Sequence, residues 1–555
     1  MEKNDINWLG WEKESINMAK RLDKPILLKI GATWCHWCHV MDDTTYSDPS
    51  VIELINSYFI PINIDNDSRP DINERYNMGG WPTTAFLTPD GTVITGSTYI
   101  PPEDFLSISR EVIKYYKENK GNIGKNSENL SFKITDKKKV EWNIAEEIVG
   151  DVIDAFDPEY AGFGKSQKFP HPDQIDLLLL HSVRSKDPAS KAAAVLTLDA
   201  MIQNEIWDYK KGGFYRYTTQ RNWKKPHFEK MLEDNSKLLM VYLNGYTLTG
   251  DIRYLDTATT VSDFLVTTLF DGAFLGSVDA DSKKVDRRIF TNWNGMAIKA
   301  LVKLFEVSGD TAALDYAIEA SEIIIKNLYT KGKGVTHEAG SKCSGVKLLA
   351  DHAWLASALT ALYAVTGDSL YLESSLDITD YAIREFRWEE KGLFFDSIAE
   401  EDVGISLEKR WKIEDNSLMS NLLVDNYIIT GEERYLKDAE RLLVSISSEY
   451  KKYGILSAPY AISIDKFERL HHLVIFGERN DILRIIGDLS GVFKPNAMFE
   501  TVDTALNEER YNKLGLSEES GVYACKRGSC KVIGVEYIQN VLKKIEKGGD
   551  LFGET

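Results

Sequence analysis

A chain of 555 residues exceeds what one hydrophobic core serves, so it requires at least two domains or a repeat architecture. A formal net charge of −19 argues against a nucleic-acid partner, because binding phosphates takes concentrated Lys and Arg. No apolar run approaches the ~20 residues that cross a bilayer, and Met1 to Lys20 lacks the apolar core of a secretory signal, so a cytoplasmic protein with no membrane partner is expected.

In chain order, Trp8 to Arg21 has helical spacing and Pro25-Ile-Leu-Leu-Lys-Ile30 reads as a buried strand. Cys35-His-Trp-Cys-His39 follows and opens a helix. Phe59 to Ile64 and Thr83 to Thr88 read as further strands, the last turning at Pro89-Asp-Gly91. Strands alternating with helices imply an α/β sheet over 1–120. The polar, Gly- and Lys-rich stretch 121–140 is the expected linker.

Beyond it, 141–555 reads as almost wholly helical, with one phrase recurring: Thr249-Gly-Asp251, Ser308-Gly-Asp310, Thr366-Gly-Asp368 and Thr430-Gly-Glu432. The glycines stand 59, 58 and 64 residues apart, each predicting a helix stop followed by an acidic helix start. The repeat is a helical hairpin, buried only by stacking on its neighbours. Periodicity alone leaves a closed ring and an open solenoid equally available. Near the end, strand and helix patterns alternate, predicting a small α/β insertion at about 470–530, followed by a final amphipathic helix ending near Lys547.

The five cysteines are Cys35, Cys38, Cys343, Cys525 and Cys530, too few for a disulfide framework. Cys35 and Cys38 straddle a predicted helix start, where the helix N-terminus favours a thiolate. A redox pair is the preferred reading, with Cys35 the more exposed, attacking thiol and Cys38 the resolving one. The same segment fits haem attachment in exported proteins, zinc binding with His36 or His39, or an inert buried pair. No metal or cofactor is expected. Cys525 and Cys530 have metal or redox potential, with a peripheral structural role the preferred reading, and Cys343 is read as a lone thiol.

Trp-Cys-x-x-Cys together with Trp81-Pro82 before the strand Thr83 to Thr88 resembles the thioredoxin fold, which implies a cis Pro82 beside the dithiol as part of the catalytic set. Lys29 stands where that fold carries a buried acid. Lys24-Pro-Ile, Cys35-His-Trp-Cys-His-Val-Met41, Asn63-Ile-Asp-Asn-Asp-Ser-Arg-Pro-Asp71, Gly79-Gly-Trp-Pro-Thr83, Gln167-Lys-Phe-Pro170, Gly212-Gly-Phe-Tyr-Arg-Tyr217, Pro226-His-Phe-Glu-Lys-Met-Leu232, Asp279-Ala-Asp-Ser282 and Trp293-Asn-Gly295 resemble the spermatogenesis-associated protein 20 family over nearly the whole chain. That resemblance implies an N-terminal α/β thioredoxin fold followed by an all-α (α/α)6 toroid similar to sugar epimerases and six-hairpin glycosidases. It implies little about reaction.

Counting back 15 and 16 residues from the repeat glycines gives Asp234-Asn235, Trp293-Asn294, Asp351-His352 and Asp415-Asn416. Equal offsets predict equivalent positions on successive inner helices, so Asp234, Trp293, Asn294, Asp351, His352 and Asp415 are expected around one wet cavity. Helix capping by these Asp and Asn residues is the plainer alternative. His227, Glu229, Asp279 and Asp281 fall in loop-like segments and are expected to border the same opening. Paired carboxylates suit glycosidic cleavage, and a pair such as His227 with His352 suits epimerisation. The leading expectation is thiol–disulfide chemistry, with a protein or small-molecule thiol or disulfide as partner, fused to a toroid that binds a carbohydrate-like molecule. Its rivals are an epimerase or glycosidase on an inert thioredoxin-like scaffold, and a non-catalytic binding module.

Overall fold

The computed structural model describes residues 5–119, 123, 143–340, 346–399, 409–469, 472–489, 497–505, 508–516, 520–526 and 529–533. Nearly all of the predicted linker 121–140, the lone thiol Cys343 and the final helix near Lys547 lie outside these residues.

The N-terminal part runs α1 (Lys13–Leu22), β1 (Ile26–Gly31), α2 (His36–Asp43), α3 (Pro49–Tyr58), β2 (Ile60–Asp65), α4 (Pro70–Tyr76), β3 (Thr83–Leu87), β4 (Val93–Ser97) and α5 (Pro102–Glu118). The sheet order is β2-β1-β3-β4, with β1 parallel to β2 and antiparallel to β3. Every residue of β1 is buried, as a strand with both faces covered requires. The Trp81–Pro82 bond is cis, as its sequence context predicts. This is the thioredoxin-like domain that the motifs imply.

Twelve helices follow among the described residues: α6 (Asn143–Ala155), α7 (Pro172–Arg184), α8 (Pro188–Gln203), α9 (Leu232–Thr249), α10 (Ile252–Leu269), α11 (Thr291–Ser308), α12 (Thr311–Leu328), α13 (Leu349–Thr366), α14 (Ser369–Phe386), α15 (Ile413–Thr430), α16 (Glu433–Ile446) and α17 (Ala458–Arg469). α7, α9, α11, α13, α15 and α17 pack side by side, and α17 returns against α7 to close the ring. The even-numbered helices lie outside, giving an (α/α)6 toroid.

The recurring phrase does what its chemistry predicts. Gly250, Gly309, Gly367 and Gly431 end α9, α11, α13 and α15 in the left-handed conformation, at φ between 72° and 75°. Asp251, Asp310 and Asp368 then cap the next helix through their side chains. Gly295 serves a different need: a Cβ there would lie 2.7 Å from the Trp354 carbonyl carbon, so α11 and α13 touch backbone to backbone.

The C-terminal unit comprises β5 (His472–Gly477), α18 (Arg479–Leu489), β6 (Met498–Asp503), α19 (Glu508–Leu514), β7 (Gly521–Lys526) and β8 (Ser529–Ile533), in the order β6-β5-β7-β8. It is a four-stranded sheet with two helices, at the place expected of the small α/β insertion. Ala497, Met498 and Phe499 of this unit help line the lumen of the ring. No helix among the described residues is long and apolar enough to cross a membrane.

Candidate functional site between the two domains

The third residue of each of four inner helices carries the first member of the recurring pair, so Asp234, Trp293, Asp351 and Asp415 all sit at the N-terminal end of the ring. The thioredoxin-like domain docks on that same end, and by the loops that hold its chemistry. Arg288 donates to Asp65 at 2.6 Å and to Ser68 at 2.8 Å. Arg216 lies over the rings of Trp34 and Trp81, 4.4 and 5.0 Å from their centroids. Ser68 donates to Glu338, and Arg75 pairs with Asp396.

This docking buries the dithiol. Cys35 caps α2, accepting from the Cys38 backbone N–H, and is joined to Cys38. Cys35 is 6% and Cys38 3% exposed, both packed in the core continuous with the toroid, so the expected contrast in exposure is small. The flanking histidines turn toward the toroid: His36 and His39 reach Asp281 at 2.9 and 3.2 Å. His39 also stands 3.7 Å from Asp279. Asp281 is thereby held below the usual carboxylate range, burial being outweighed by the two imidazoles. Lys29, in the place of the buried acid, pairs with Asp42 and lies over Trp8 and Tyr46.

Beneath this contact lie His227 and Glu229. His227 stacks on Tyr217 with centroids 4.4 Å apart, and its Nδ1 is 3.9 Å from Glu229 Oε2. Glu229 is 2% exposed and its Oε2 has no hydrogen-bond partner among the described residues; burial pushes the carboxyl up to about 7. Burial, then the charges of His36 and Arg216, lower His227. Asp234 Oδ2 and Asp279 Oδ2 likewise lack hydrogen-bond partners, and burial raises Asp234. Three buried carboxylate oxygens at this end of the ring thus have no hydrogen-bond donor among the described residues, the nearest imidazoles standing 3.7 Å from Asp279 and 3.9 Å from Glu229.

Several expected site residues have another role. Asn294 accepts from Phe274 N–H at 2.8 Å and donates to the carbonyls of Phe274 and Phe290, each at 2.9 Å. Asn235 and Asn416 make the same three bonds to Phe214 and Met231, and to Phe394 and Lys412. His352 is the fourth copy: its Nε2 accepts from Val335 N–H and its Nδ1 donates to Leu348 O. The second member of each pair is a clip that ties an extended link onto the start of an inner helix. Asn294 and His352 are therefore not cavity residues, and a His227–His352 pair does not form. Trp293 is 6% exposed against Phe290.

Asp351 is also enclosed, at 0% exposure, by His337 Nδ1 at 3.0 Å and the Asn292 N–H at 3.1 Å. His337 Nε2 donates to the Asp67 carbonyl of the thioredoxin-like domain at 2.7 Å. Both acceptors can only accept, so both ring nitrogens carry protons. Against burial, the Asp351 carboxylate holds this imidazolium up to about 9. Asp67 itself is pushed up to about 7 by burial and receives the Trp34 indole N–H. Neither His337 nor Arg216 stands at a repeat phase.

Two cavities flank this end. A cleft of about 620 Å³ at the mouth is lined by Trp388, Trp411, Asp234 and Arg410, with Glu74 of the thioredoxin-like domain on its rim. A lumen of about 320 Å³ lies along the ring axis. The Lys237 ion pairs with Asp173 and Glu414 border both. Asp415 is buried, and burial pushes it up to about 7 despite Lys412. Of the four paired first members, Asp234 alone lines the cleft. Among the described residues no group of three or more His, Cys, Asp or Glu is arranged to hold a metal ion.

Fold and site together define a thioredoxin-like domain seated on the mouth of an (α/α)6 toroid. Residues 1–135 match the family Thioredox_DsbH, described as "Protein of unknown function, DUF255". Homologues of the chain are named spermatogenesis-associated protein 20. The one from Mus musculus is 31% identical over 316 residues, covering 50% of this chain and 39% of the mouse protein's length. The one from Homo sapiens is 22% identical over 696 residues, covering 95% of this chain and 88% of the human protein. A cellobiose 2-epimerase of Eubacterium cellulosolvens is 32% identical over 117 residues, or 20% of this chain and 29% of the enzyme. Among solved structures, a sugar epimerase from a ruminal bacterium superposes with a TM-score of 0.48 at 16% identity, over 55% of this chain and 87% of that one.

Proposed function

We propose that the toroid binds a carbohydrate-like molecule in the mouth cleft and that the Cys35–Cys38 pair performs thiol–disulfide exchange in the thioredoxin-like domain docked on the same end of the ring, in a cytoplasmic protein with no nucleic-acid or membrane partner. The observation that carries this reading is the shared cleft: about 620 Å³, with the indoles of Trp388 and Trp411 beside Asp234, Asp396 and Arg410. Flat rings for the apolar face of a sugar and converging polar groups for its hydroxyls are what such a ligand needs. Burial of Cys35 against the toroid restricts its partner to a small thiol or disulfide.

Calorimetry against a panel of mono- and disaccharides tests the cleft. Binding that weakens at least tenfold in Trp411→Ala supports the reading, and no heat with any saccharide overturns it. Equilibration with dithiothreitol buffers, scored by alkylation of Cys35, tests the dithiol.

A second reading, epimerisation, is favoured by His227 and Glu229. A neutral imidazole 3.9 Å from a carboxyl that titrates near 7 is a base beside an acid at neutral pH. Deuterium uptake from D2O at the carbon beside a sugar's carbonyl, lost in Glu229→Gln, would establish it.

A further inference from the structure

The C-terminal unit repeats the topology of the N-terminal domain. In β2-β1-β3-β4 the first ladder is parallel and the next two antiparallel; β6-β5-β7-β8 has the same order and the same directions. In both, a helical crossover joins the parallel strands and one helix, α4 or α19, leads to the antiparallel hairpin. Gly31 ends β1 before the cysteine helix α2, and Gly477 ends β5 before α18. No cysteine stands in Gly477-Glu-Arg479. The cysteines of this unit lie on the hairpin instead, with Cys525 on β7 directly across the ladder from Cys530 on β8, and the two are joined.

A structural staple is poorly placed there. The hairpin is already held by the ladder from Val522 opposite Ile533 to Lys526 opposite Ser529, and a link closing so short a loop removes little freedom from the unfolded chain. Redox chemistry is better served. β8 is an edge strand of this sheet, and Cys530 is partly exposed on it while Cys525 is only 4% exposed. On the other side of Cys525 the ladder places His472, and cross-strand neighbours have Cβ atoms ~5 Å apart. His472 Nε2 donates to Glu500 at 2.8 Å, which fixes the ring and leaves Nδ1 as its acceptor. Glu500 is itself fixed by Arg510 and Tyr363.

We propose that Cys525 and Cys530 form a second thiol–disulfide centre, carried by a second thioredoxin-like unit at the lumen and open to a low-molecular-weight disulfide at Cys530. In the oxidising direction Cys530 Sγ attacks RSSR; the R–S–S–R bond breaks and the first RSH leaves with the Cys530 proton. Cys525 gives its proton to His472 and attacks Cys530 Sγ. The mixed disulfide breaks, the Cys525–Cys530 bond forms, and the second RSH leaves with the proton from His472. Two thiols are oxidised and one RSSR is reduced to two RSH.

The test uses the full chain carrying Cys35→Ser, Cys38→Ser and Cys343→Ser, so that the remaining thiols are this pair. Under native conditions, reduced dithiothreitol should add two alkylatable thiols by intact mass, and glutathione disulfide should remove both. With Cys525→Ser added, glutathione should be trapped at Cys530 at least tenfold faster than at Cys525 in the Cys530→Ser counterpart. His472→Asn should slow closure of the disulfide while leaving capture of glutathione at Cys530 unchanged. Differential alkylation and peptide mapping of the unaltered protein repeats the measurement without substitutions. Thiols that become reducible only in denaturant, or equal capture at both cysteines, would overturn the proposal.

Discussion

Replacing His337 with Gln removes the charge that joins the Asp351 carboxylate to the Asp67 carbonyl, and the cost of that removal depends on pH. The imidazolium is raised from the ordinary value near 6.5 up to about 9. A group raised on folding contributes stability that is fully present below its unfolded value and is lost as pH rises through its folded value. The window is therefore pH 6.5 to 9. At ~1.4 kcal/mol for each pH unit between the two values, the contribution amounts to about 3 kcal/mol, undiminished by solvent because the side chain is 9% exposed. Urea unfolding of the unaltered protein and His337→Gln, followed by tryptophan fluorescence at pH 6, 7.5, 9 and 10, reads the difference directly. It should be about 3 kcal/mol larger at pH 6 than at pH 10. A difference that stays flat across that range would refute both the charge state and the claim that it ties the domains together.

His352, held neutral by accepting from Val335 and lowered by burial to about 4, should behave oppositely: its stabilisation is present above pH 6.5 and disappears as pH falls through 4, measured as the same difference for His352→Gln. Asn294→Ala strands the buried Phe274 N–H and carbonyl and should cost about 2–5 kcal/mol, read as a lower urea midpoint. Asp351→Ala leaves a buried imidazolium without its partner and should destabilise by about 3–5 kcal/mol, so any loss of ligand binding would accompany loss of fold. Gly295→Ala forces α11 and α13 apart where their backbones touch and should cost about 1–3 kcal/mol; a neutral result would refute the close approach.

The helical hairpins were legible because helix termination is local chemistry, whereas their closure into a ring was implied by the family resemblance and not by the repeat. A left-handed glycine recurs at Gly250, Gly309, Gly367 and Gly431, and in the first three an Asp caps the next helix, while Glu432 follows Gly431 without a side-chain cap. The phase of Asp351 was legible too, but its role was not. A repeat offset fixes the helix position of a side chain, whereas its partner comes from a link outside the repeat, as His337 does. The paired Asn residues show the same limit from the other side. A polar residue recurring at one phase suggests a ring of ligand groups, yet each extended link has backbone groups to satisfy at the start of the next inner helix, and Asn235, Asn294 and Asn416 each supply one acceptor and two donations there. Recurrence signalled a need common to every hairpin, and a common need is structural. The residues left for chemistry are those that break the repeat: His227 and Glu229 on one link, Asp279 and Asp281 on another, and Arg216 between Trp34 and Trp81. All of them meet the thioredoxin-like domain or lie beneath it. What the sequence could not supply was that meeting, because contacts such as His36 with Asp281 span 245 residues and depend on the closure of the ring.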